Sequence, residues 1–240
     1  MPVRLPKTPA QMRRQPERSR AAILQAAMRE FAQEGVAGAR TDAIAKAAGV
    51  NKALLYYYFK DKAALYGAVL DEVFGGLTRK VLPVLDGEAR PQQKILFYVQ
   101  AHFDYIAQSP TLPKLVLGEM MRAGRTPSPQ MNRLVERYHR PLFAKLARVI
   151  ADGIATGDFR PVDPVQFVPS MIALVVFYFA VAPVIARVIE SDPLSADFIR
   201  ARRSAVLDTI SAALFVRPDA YSFTAGERLK LSGQNPGGQA

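Results

Sequence analysis

Three tyrosines and a phenylalanine stand in a row between lysines in the stretch NKALLYYYFKDK, residues 51–62. Tyrosine hydroxyls and lysine ammonium groups both donate hydrogen bonds, and phosphate oxygens accept such bonds well. A small residue near the start of the stretch, Ala53, would allow a close approach to the edges of bases. The residue types therefore indicate a surface for a polyanion, provided that the tyrosines lie outside the hydrophobic core.

The secondary structure of this stretch decides which side chains lie outside. Aromatic residues are common in strands, so propensity alone favours a strand for LLYYYF. A helix, at 100° per residue, instead separates the residues into two arcs. The inner arc holds Leu54, Leu55, Tyr58 and Phe59, and the outer arc holds Lys52, Ala53, Tyr56, Tyr57 and Lys60. We predict a short helix that packs through the inner arc and exposes the outer one.

Capping and turn residues support this helix and predict another just before it. Thr41 is the expected N-cap of a short helix in TDAIAKAAG, and Gly49 is its C-terminal glycine. Asn51 is the expected N-cap of the tyrosine helix, and Asp61 can cap the helix that follows. Two short helices joined by a glycine turn are typical of the helix-turn-helix, whose second helix enters the major groove of DNA.

Longer helices are predicted on both sides of this pair. Residues 16–31 carry apolar side chains at helical spacing, and Gly35 supplies a stop. After Asp61, the segment KAALYGAVLDEVF turns Leu65, Val69 and Val73 inward. Because the two short helices are marginal in isolation, they must be held by packing on these longer neighbours.

The positive charge is concentrated in the same part of the chain. The net charge is +11; residues 1–62 hold 12 Lys and Arg against 5 Asp and Glu, whereas residues 63–240 hold 20 against 16. Such asymmetry indicates a polyanionic partner, either nucleic acid or an anionic membrane surface. In an alternative interpretation, Tyr56 and Tyr57 are packing aromatics and the lysines only solubilise the protein.

The stretch EFAQEGVAGARTDAIAKAAGVNKALLYYYFKDKAALYGAVL resembles the DNA-binding domain of the tetracycline-repressor (TetR) family, over about residues 18–70. The residues that carry the resemblance are Phe31, Gly35, Thr41, Ile44, Ala45, Ala48, Gly49, Val50, Leu55, Tyr56, Tyr58, Phe59, Lys62 and Leu65. The resemblance implies that the first three helices bind DNA, and that further helices form a domain for dimerisation and effector binding. It also implies, by position, the DNA contacts; with Ala53 added from the chemistry above, the predicted set is Thr41, Lys52, Ala53, Tyr56, Tyr57 and Lys62.

We therefore predict an all-α protein in four segments. They are a flexible basic arm at residues 1–16, a helix-turn-helix domain at 17–62, an effector-binding and dimerisation domain at 63–216, and a flexible tail at 217–240. The arm would reach along the DNA or remain solvated. Amphipathic helices are predicted in the larger domain at residues 91–108, 112–123, 130–155 and 195–215.

Residues 167–186 form an uncharged run of the length of a membrane span. A helix that is apolar on all sides lies either in lipid or in a protein interior. The run stands alone and contains Pro169 and Pro183, so we favour burial over the membrane. As the resemblance to the TetR family implies, we expect residues 165–189 and 196–214 to form a four-helix homodimer interface with their symmetry mates. A core helix inside one chain is the alternative.

Candidate effector-binding residues are less distinctive. His102, Phe103, Met121, Tyr138 and Tyr178, with Met120 and His139 nearby in sequence, could line an apolar pocket with a few polar groups. The expected ligand is a small hydrophobic or aromatic molecule. Aromatic residues and methionines at helical spacing are, however, often ordinary core.

Other classes of function find little support. The chain has no cysteine, and its two histidines lack metal-ligand spacing. It contains no glycine-rich phosphate loop and no GxSxG motif, so we expect neither an enzyme nor a cofactor. The first residues do not resemble a secretory signal, and the cytosol is the expected compartment. We predict a ligand-responsive, sequence-specific transcriptional regulator that binds an operator in double-stranded DNA. The family resemblance implies a repressor that a small hydrophobic effector releases from the operator. A DNA-binding protein without sequence preference is the alternative.

Overall fold

The computed structural model describes residues 9–109, 112–123 and 129–218. These residues are helical apart from short connections and a single bridge between Phe159 and Phe215, and they contain no β-strand. The helices are α1 (Pro9–Gly38), α2 (Thr41–Ala47), α3 (Lys52–Tyr58), α4 (Lys62–Asp86), α5 (Pro91–Ala107), α6 (Leu112–Ala123), α7 (Pro129–Leu134), α8 (Arg140–Ala155), α9 (Pro164–Ala180), α10 (Ala182–Ile189) and α11 (Ala196–Leu214). A π-helical turn, Val135–His139, joins α7 to α8. The predicted all-α class is confirmed.

The N-terminal head, defined as α1 to α3 with the first half of α4, forms around the predicted apolar stripe of α1. That stripe, which includes Ile23, Ala27 and Phe31, is buried against Ile44 of α2 and Leu55 of α3. Each short helix supplies few buried residues of its own. Packing on α1 and α4 therefore holds α2 and α3 in place, as their length requires.

The ends of these helices agree with the sequence in part. Asn51 Oδ1 accepts from the Leu54 backbone N–H at 2.7 Å, and Asp61 Oδ1 accepts from the Ala64 N–H at 2.7 Å, so both predicted caps are confirmed. Thr41 is not an N-cap, because α2 begins at Thr41 itself and the extended cap residue is Arg40. Gly49 has φ +67°, in the left-handed region that closes the helix-turn-helix turn.

Helix α1 differs from its predicted bounds at both ends. It begins at Pro9, inside the segment predicted as a flexible arm, and Pro16 lies within the helix. Gly35, at φ +67°, breaks the helix as predicted, but a further turn follows it as far as Gly38. Of the segment predicted to reach along DNA, residues 4–14, residues 4–8 lie outside the described residues and the rest belong to α1.

The body, defined as the second half of α4 with α5 to α11, has a core of its own. Its centre includes Leu96, Phe103, Leu146, Val175 and Ile210, which come from four different helices. The predicted helices at 91–108, 112–123 and 195–215 are present. The helix predicted at 130–155 is interrupted by the π-helical turn.

The apolar run at 167–186 is two helices instead of one. Helices α9 and α10 meet at Val181 with a bend of 66°, and Pro183 occupies the first turn of α10. Val168, Met171 and Val175 face the body core. Within the described ranges, no single helix has the length and hydropathy to cross a membrane; only the bent pair of α9 and α10 taken together meets those criteria.

Helix α4 connects the head to the body without a break. Its N-terminal residues Leu65 and Val69 belong to the head core, and its C-terminal residues Val81 and Leu85 belong to the body core. Because a helix transmits displacement along its axis, a change in the body that moves α4 also moves the head.

Candidate DNA interface and effector cavity

The outer face of α3 is exposed as the helical arcs predict. Leu55 and Phe59 are buried in the head core, and Arg20 places its guanidinium 5.4 Å from the centre of the Phe59 ring. Tyr57 is 80% exposed and Tyr56 is 40% exposed. Lys52, Ala53 and Lys60 are also exposed. The aromatic run is therefore divided between core and surface, and the strand interpretation is wrong.

Tyr58 lies between the two faces. It is half-buried and packs against the edge of the head core, although its ring also meets Tyr57 in an edge-to-face contact at 5.3 Å. Leu54 is half-buried as well. The inner arc thus has a fully buried centre with two less buried residues at its margin.

One predicted contact residue links the two short helices. Thr41 Oγ1 and the Tyr56 hydroxyl lie 3.2 Å apart, and either group can donate. The bond joins the first turn of α2 to the exposed face of α3. It orients the Tyr56 hydroxyl, and the hydroxyl that accepts in this bond keeps its hydrogen for a phosphate.

Lys52 is already engaged by a carboxylate of the same surface. Its Nζ lies 2.8 Å from Asp42 Oδ1, in an ion pair with both side chains about half exposed. The hydrogen bond and charge of Lys52 lower the pKa of Asp42, and those of Asp42 raise the pKa of Lys52. Both groups are therefore charged at neutral pH. A phosphate that binds Lys52 must compete with Asp42.

Lys62 has partners inside the head. Its Nζ donates to the carbonyl oxygen of Ala37, in the last turn of α1, at 2.9 Å and to that of Ala39, between α1 and α2, at 2.8 Å. Two of the three ammonium hydrogens are used in this way. The residue predicted as a phosphate contact thus ties the start of α4 to the loop that precedes α2, and at most its remaining hydrogen faces a phosphate.

Two further basic residues lie beside the predicted contacts. Arg40 is exposed immediately before α2, close enough for its charge to act on both Asp42 and Lys52. Lys60 is exposed just after α3. Their positions in the sequence could have indicated this surface, because each residue flanks a short helix that carries predicted contacts.

The body contains a cavity beside α4. Its volume is about 130 Å³, close to that of an apolar cavity that binds a benzene-sized molecule, and it opens to solvent at its mouth. Helices α4, α5, α6, α8 and α9 and the π-helical turn surround it. Its apolar lining consists of Val73, Phe74, Leu77, Ile106, Leu112, Pro113, Val116, Met120, Leu142, Ile172 and Val176.

The predicted effector residues divide between this cavity and other places. His102 and Tyr138 line it, together with Met120 and His139. The other three predicted residues, Phe103, Met121 and Tyr178, do not line it.

Each of these three residues has another position in the fold. Phe103 is buried in the body core with its ring 5.1 Å from that of Phe179. Met121 is 69% exposed. The Tyr178 hydroxyl donates to the Pro193 carbonyl at 2.8 Å.

His102 is a buried polar residue of the lining, next to Tyr98. It is 4% exposed, and its Nδ1 lies 3.1 Å from the hydroxyl of Tyr98. Burial lowers the pKa of His102 to about 4 and raises the pKa of Tyr98. Both side chains are therefore neutral at physiological pH.

Tyr138 connects the cavity to α4. Its hydroxyl lies 3.3 Å from Asp71 Oδ1, and Phe74 stacks on its ring at 6.3 Å. Burial, followed by the charge of Asp71, raises the pKa of the Tyr138 hydroxyl. Arg133 and Arg137 approach the same carboxylate at 3.1 and 3.8 Å. A ligand that displaces Tyr138 would disturb this link to α4.

The described residues contain no cluster of three or more histidine and acidic side chains that could hold a metal ion.

Two family models match the chain: the tetR family of bacterial regulatory proteins over residues 23–69, and a tetracycline repressor-like C-terminal domain over residues 91–210. These two ranges contain most of the head and most of the body.

Individual proteins give the same result. The transcriptional repressor SCO4008 of Streptomyces coelicolor is 30% identical over 176 residues, which are 73% of this chain and 85% of that protein. The transcriptional regulator RutR of Escherichia coli K12 is 30% identical over 68% of this chain and 74% of its own length. The crystal structure of a putative regulator, SCO4942 of Streptomyces coelicolor, superposes with a TM-score of 0.60 at 25% identity, covering 81% of this chain and 97% of that one. The chain belongs to the TetR family and is a helix-turn-helix transcriptional regulator.

Proposed function

We propose that the chain is a dimeric repressor that binds a specific operator through α3 and leaves it when a small apolar effector occupies the body cavity. The observation that carries the proposal is the outer face of α3. Tyr56, Tyr57 and Lys52 project from a helix that Leu55 and Phe59 anchor in the head core. This is the geometry that a recognition helix needs.

The contacts divide by chemistry. Tyr57, Tyr56 with Thr41, Lys52 and Lys60 donate to phosphates, as does Arg40, and these contacts fix the register of α3 on the duplex. Ala53, exposed at the start of α3, leaves room for base edges to come close to the helix. Lys62 acts mainly as a positioning residue through its two bonds to the end of α1 and the residue after it.

A second copy of the chain is the proposed partner of α9, α10 and α11. Val188 is 77% exposed, and these three helices carry further exposed apolar side chains, namely Val165, Phe177, Val184, Ile189 and Phe198. The inner side of α9 is already buried in the body core. The outer side is left for a symmetry mate, which would place two heads on half-sites about 34 Å apart.

Release by an effector follows from linkage. A ligand shifts the equilibrium only if it binds better to a state whose heads are misplaced for DNA, and DNA then weakens the ligand by the same factor. The cavity supports this role because Phe74 of α4 lines it and Tyr138 bonds to Asp71 of α4. The relative SCO4008 is named a transcriptional repressor, and we propose that this chain also represses transcription. A DNA-binding regulator acts where the DNA is, so the proposed compartment is the cytosol.

The test is fluorescence anisotropy with labelled DNA from upstream of the coding region, a shuffled competitor and a salt series. Tyr57→Ala removes an exposed donor from α3, and Met121→Ala removes an equally exposed side chain from the body as the matched control. We expect two wild-type chains per duplex, preference for the native fragment, weaker binding by Tyr57→Ala and no change for Met121→Ala.

Three other results would oppose the proposal. Equal affinity for native and shuffled DNA would favour a protein without sequence preference. One chain per duplex would remove the dimer. Unchanged binding by Tyr57→Ala would remove Tyr57 from the DNA interface.

A further inference from the structure

The cavity in the body is selective against charge. None of the lining side chains is Asp, Glu, Lys or Arg, within the part of the chain that the structure describes. An ion that enters such a site loses its hydration without gaining a counter-charge, and that penalty is several kcal/mol even after relaxation. A ligand of this cavity is therefore neutral in its bound form.

Most hydroxyl groups of the lining are already bonded to the protein. Thr78 donates to the Phe74 carbonyl at 2.7 Å, and Tyr105 donates to the Val73 carbonyl at 2.8 Å. The Tyr138 hydroxyl is directed at Asp71. These groups hold the walls together, so they contribute little to the recognition of a polar atom in a ligand.

His102 differs from these groups because one of its ring nitrogens is left for a ligand. Tyr98 is fully buried, and within the described residues its hydroxyl has no hydrogen-bond partner other than His102 Nδ1. The hydroxyl therefore donates to Nδ1. A neutral imidazole that accepts at Nδ1 carries its proton on Nε2, which makes Nε2 a donor.

We propose that the effector is a neutral, mainly apolar molecule with a carbonyl oxygen, and that His102 Nε2–H donates a hydrogen bond to this oxygen. The proposal deepens the assignment of the cavity as the effector site and rests on it. His102 then sets specificity, because the apolar walls bind many hydrophobic molecules while a single enclosed donor selects those with an acceptor in the right place.

The proposal predicts the order of affinities in a matched series of naphthalenes. The fluorescent ketone 6-propionyl-2-dimethylaminonaphthalene reports entry into the cavity by a blue shift. It is then displaced with 2-acetylnaphthalene, 2-ethylnaphthalene or 2-naphthoate. We expect the ketone to compete roughly three- to tenfold better than the hydrocarbon, because it gains one enclosed hydrogen bond. We expect the carboxylate to compete about a hundredfold worse than the hydrocarbon, or not at all.

Two variants test whether His102 causes the preference for the ketone over the hydrocarbon. Tyr98→Phe keeps His102 and is expected to keep the preference for the ketone. The double variant Tyr98→Phe with His102→Leu removes the donor without leaving a buried hydroxyl unpaired. In that double variant the order should reverse, because the ketone oxygen loses its bond to water and gains none in the cavity. Circular dichroism and DNA binding without ligand verify that both variants are folded.

Each remaining outcome decides against the proposal. If the ketone preference persists in the double variant, His102 is not the donor. If 2-naphthoate competes as well as the ketone, the cavity does not exclude charge. If no naphthalene binds, the cavity is not a site for this class of molecule. DNA binding by the ligand-free protein is measured in parallel, so a failure here is distinct from a failure of the proposed regulator.

Discussion

Asp42→Asn is expected to strengthen DNA binding, although the substitution removes an ion pair. In the free protein Asp42 holds Lys52 at 2.8 Å, on the surface that faces the proposed phosphates. The asparagine keeps the size of the side chain and removes its charge. Lys52 then no longer exchanges a carboxylate for a phosphate on binding, and one negative charge near the DNA is lost.

The size of the effect follows from counterion release. One additional phosphate contact steepens the slope of log K against log salt by about 0.9 for duplex DNA. If Lys52 in each chain gains such a contact, the advantage of the variant per chain grows by a factor of about 3.5 when salt falls from about 200 mM to about 50 mM. The advantage should apply to native and shuffled DNA alike, because phosphates carry no sequence information.

The assay is anisotropy over that salt range with four proteins: wild type, Asp42→Asn, Lys52→Met and the double variant. Lys52→Met serves as the matched control, because it removes the ammonium and keeps an unbranched side chain. We expect a steeper slope for Asp42→Asn than for wild type, and a smaller effect of the same substitution when Lys52 is absent.

Two results would refute the reasoning. If Asp42→Asn has the slope of the wild type, the ion pair does not restrain Lys52 from DNA. If the gain is the same with and without Lys52, it reflects only the general repulsion between a carboxylate and DNA.

Two further predictions concern positioning and packing. Lys62→Met should lower the free energy of unfolding, measured by urea denaturation, by about 1–3 kcal/mol, because the carbonyl groups of Ala37 and Ala39 lose their hydrogen bonds. The variant should also bind all DNA more weakly. Unchanged stability would contradict the positioning role. Gly153→Ala should cost about 1–3 kcal/mol in thermal unfolding, because its Cβ would overlap the Phe159 ring. The control Gly118→Ala, on α6 with nothing within 4 Å of its new Cβ, should be neutral or stabilising, and equal effects at the two glycines would contradict the overlap.

The head was predictable because its signals are local. Asn51 and Asp61 cap the helices that directly follow them, and each cap depends only on residues three positions away. Leu55 and Phe59 are one turn apart, so helical spacing alone places both in the core. The same spacing exposes Tyr57.

Partners far apart in sequence were not predictable in this way. Lys62 donates to carbonyl groups at the end of α1 and just after it, more than twenty residues earlier, and only the packed head brings them together. Thr41 was expected to cap α2, yet its hydroxyl meets that of Tyr56 on the next helix. A residue type can indicate hydrogen bonding without indicating the partner.

The cavity shows a second limit of sequence patterns. Adjacent residues in an α-helix lie 100° apart, so they face different directions. A prediction that is shifted by one residue therefore names Met121, which does not line the cavity, in place of Met120, which does. The π-helical turn adds a residue to one turn and brings both Tyr138 and His139 to the cavity. Period analysis assumes a regular helix and does not find such turns, which are often associated with functional sites.

The cavity and the head are coupled through few groups, and this sets a requirement for any effector. Reversing an equilibrium from about 1:99 to about 99:1 takes a ligand that prefers the second state by about ten-thousandfold. A dimer with two cavities divides the requirement, so each site needs a preference of about a hundredfold. A hydrogen bond to His102 that formed equally in both states would add affinity and no regulation. The preference must arise where the two states differ, which directs attention to Tyr138, Asp71 and the face of α4 that Phe74 presents to the ligand. An effector analogue that keeps its carbonyl and lacks the bulk to displace Tyr138 should therefore bind the cavity and leave the repressor on its operator.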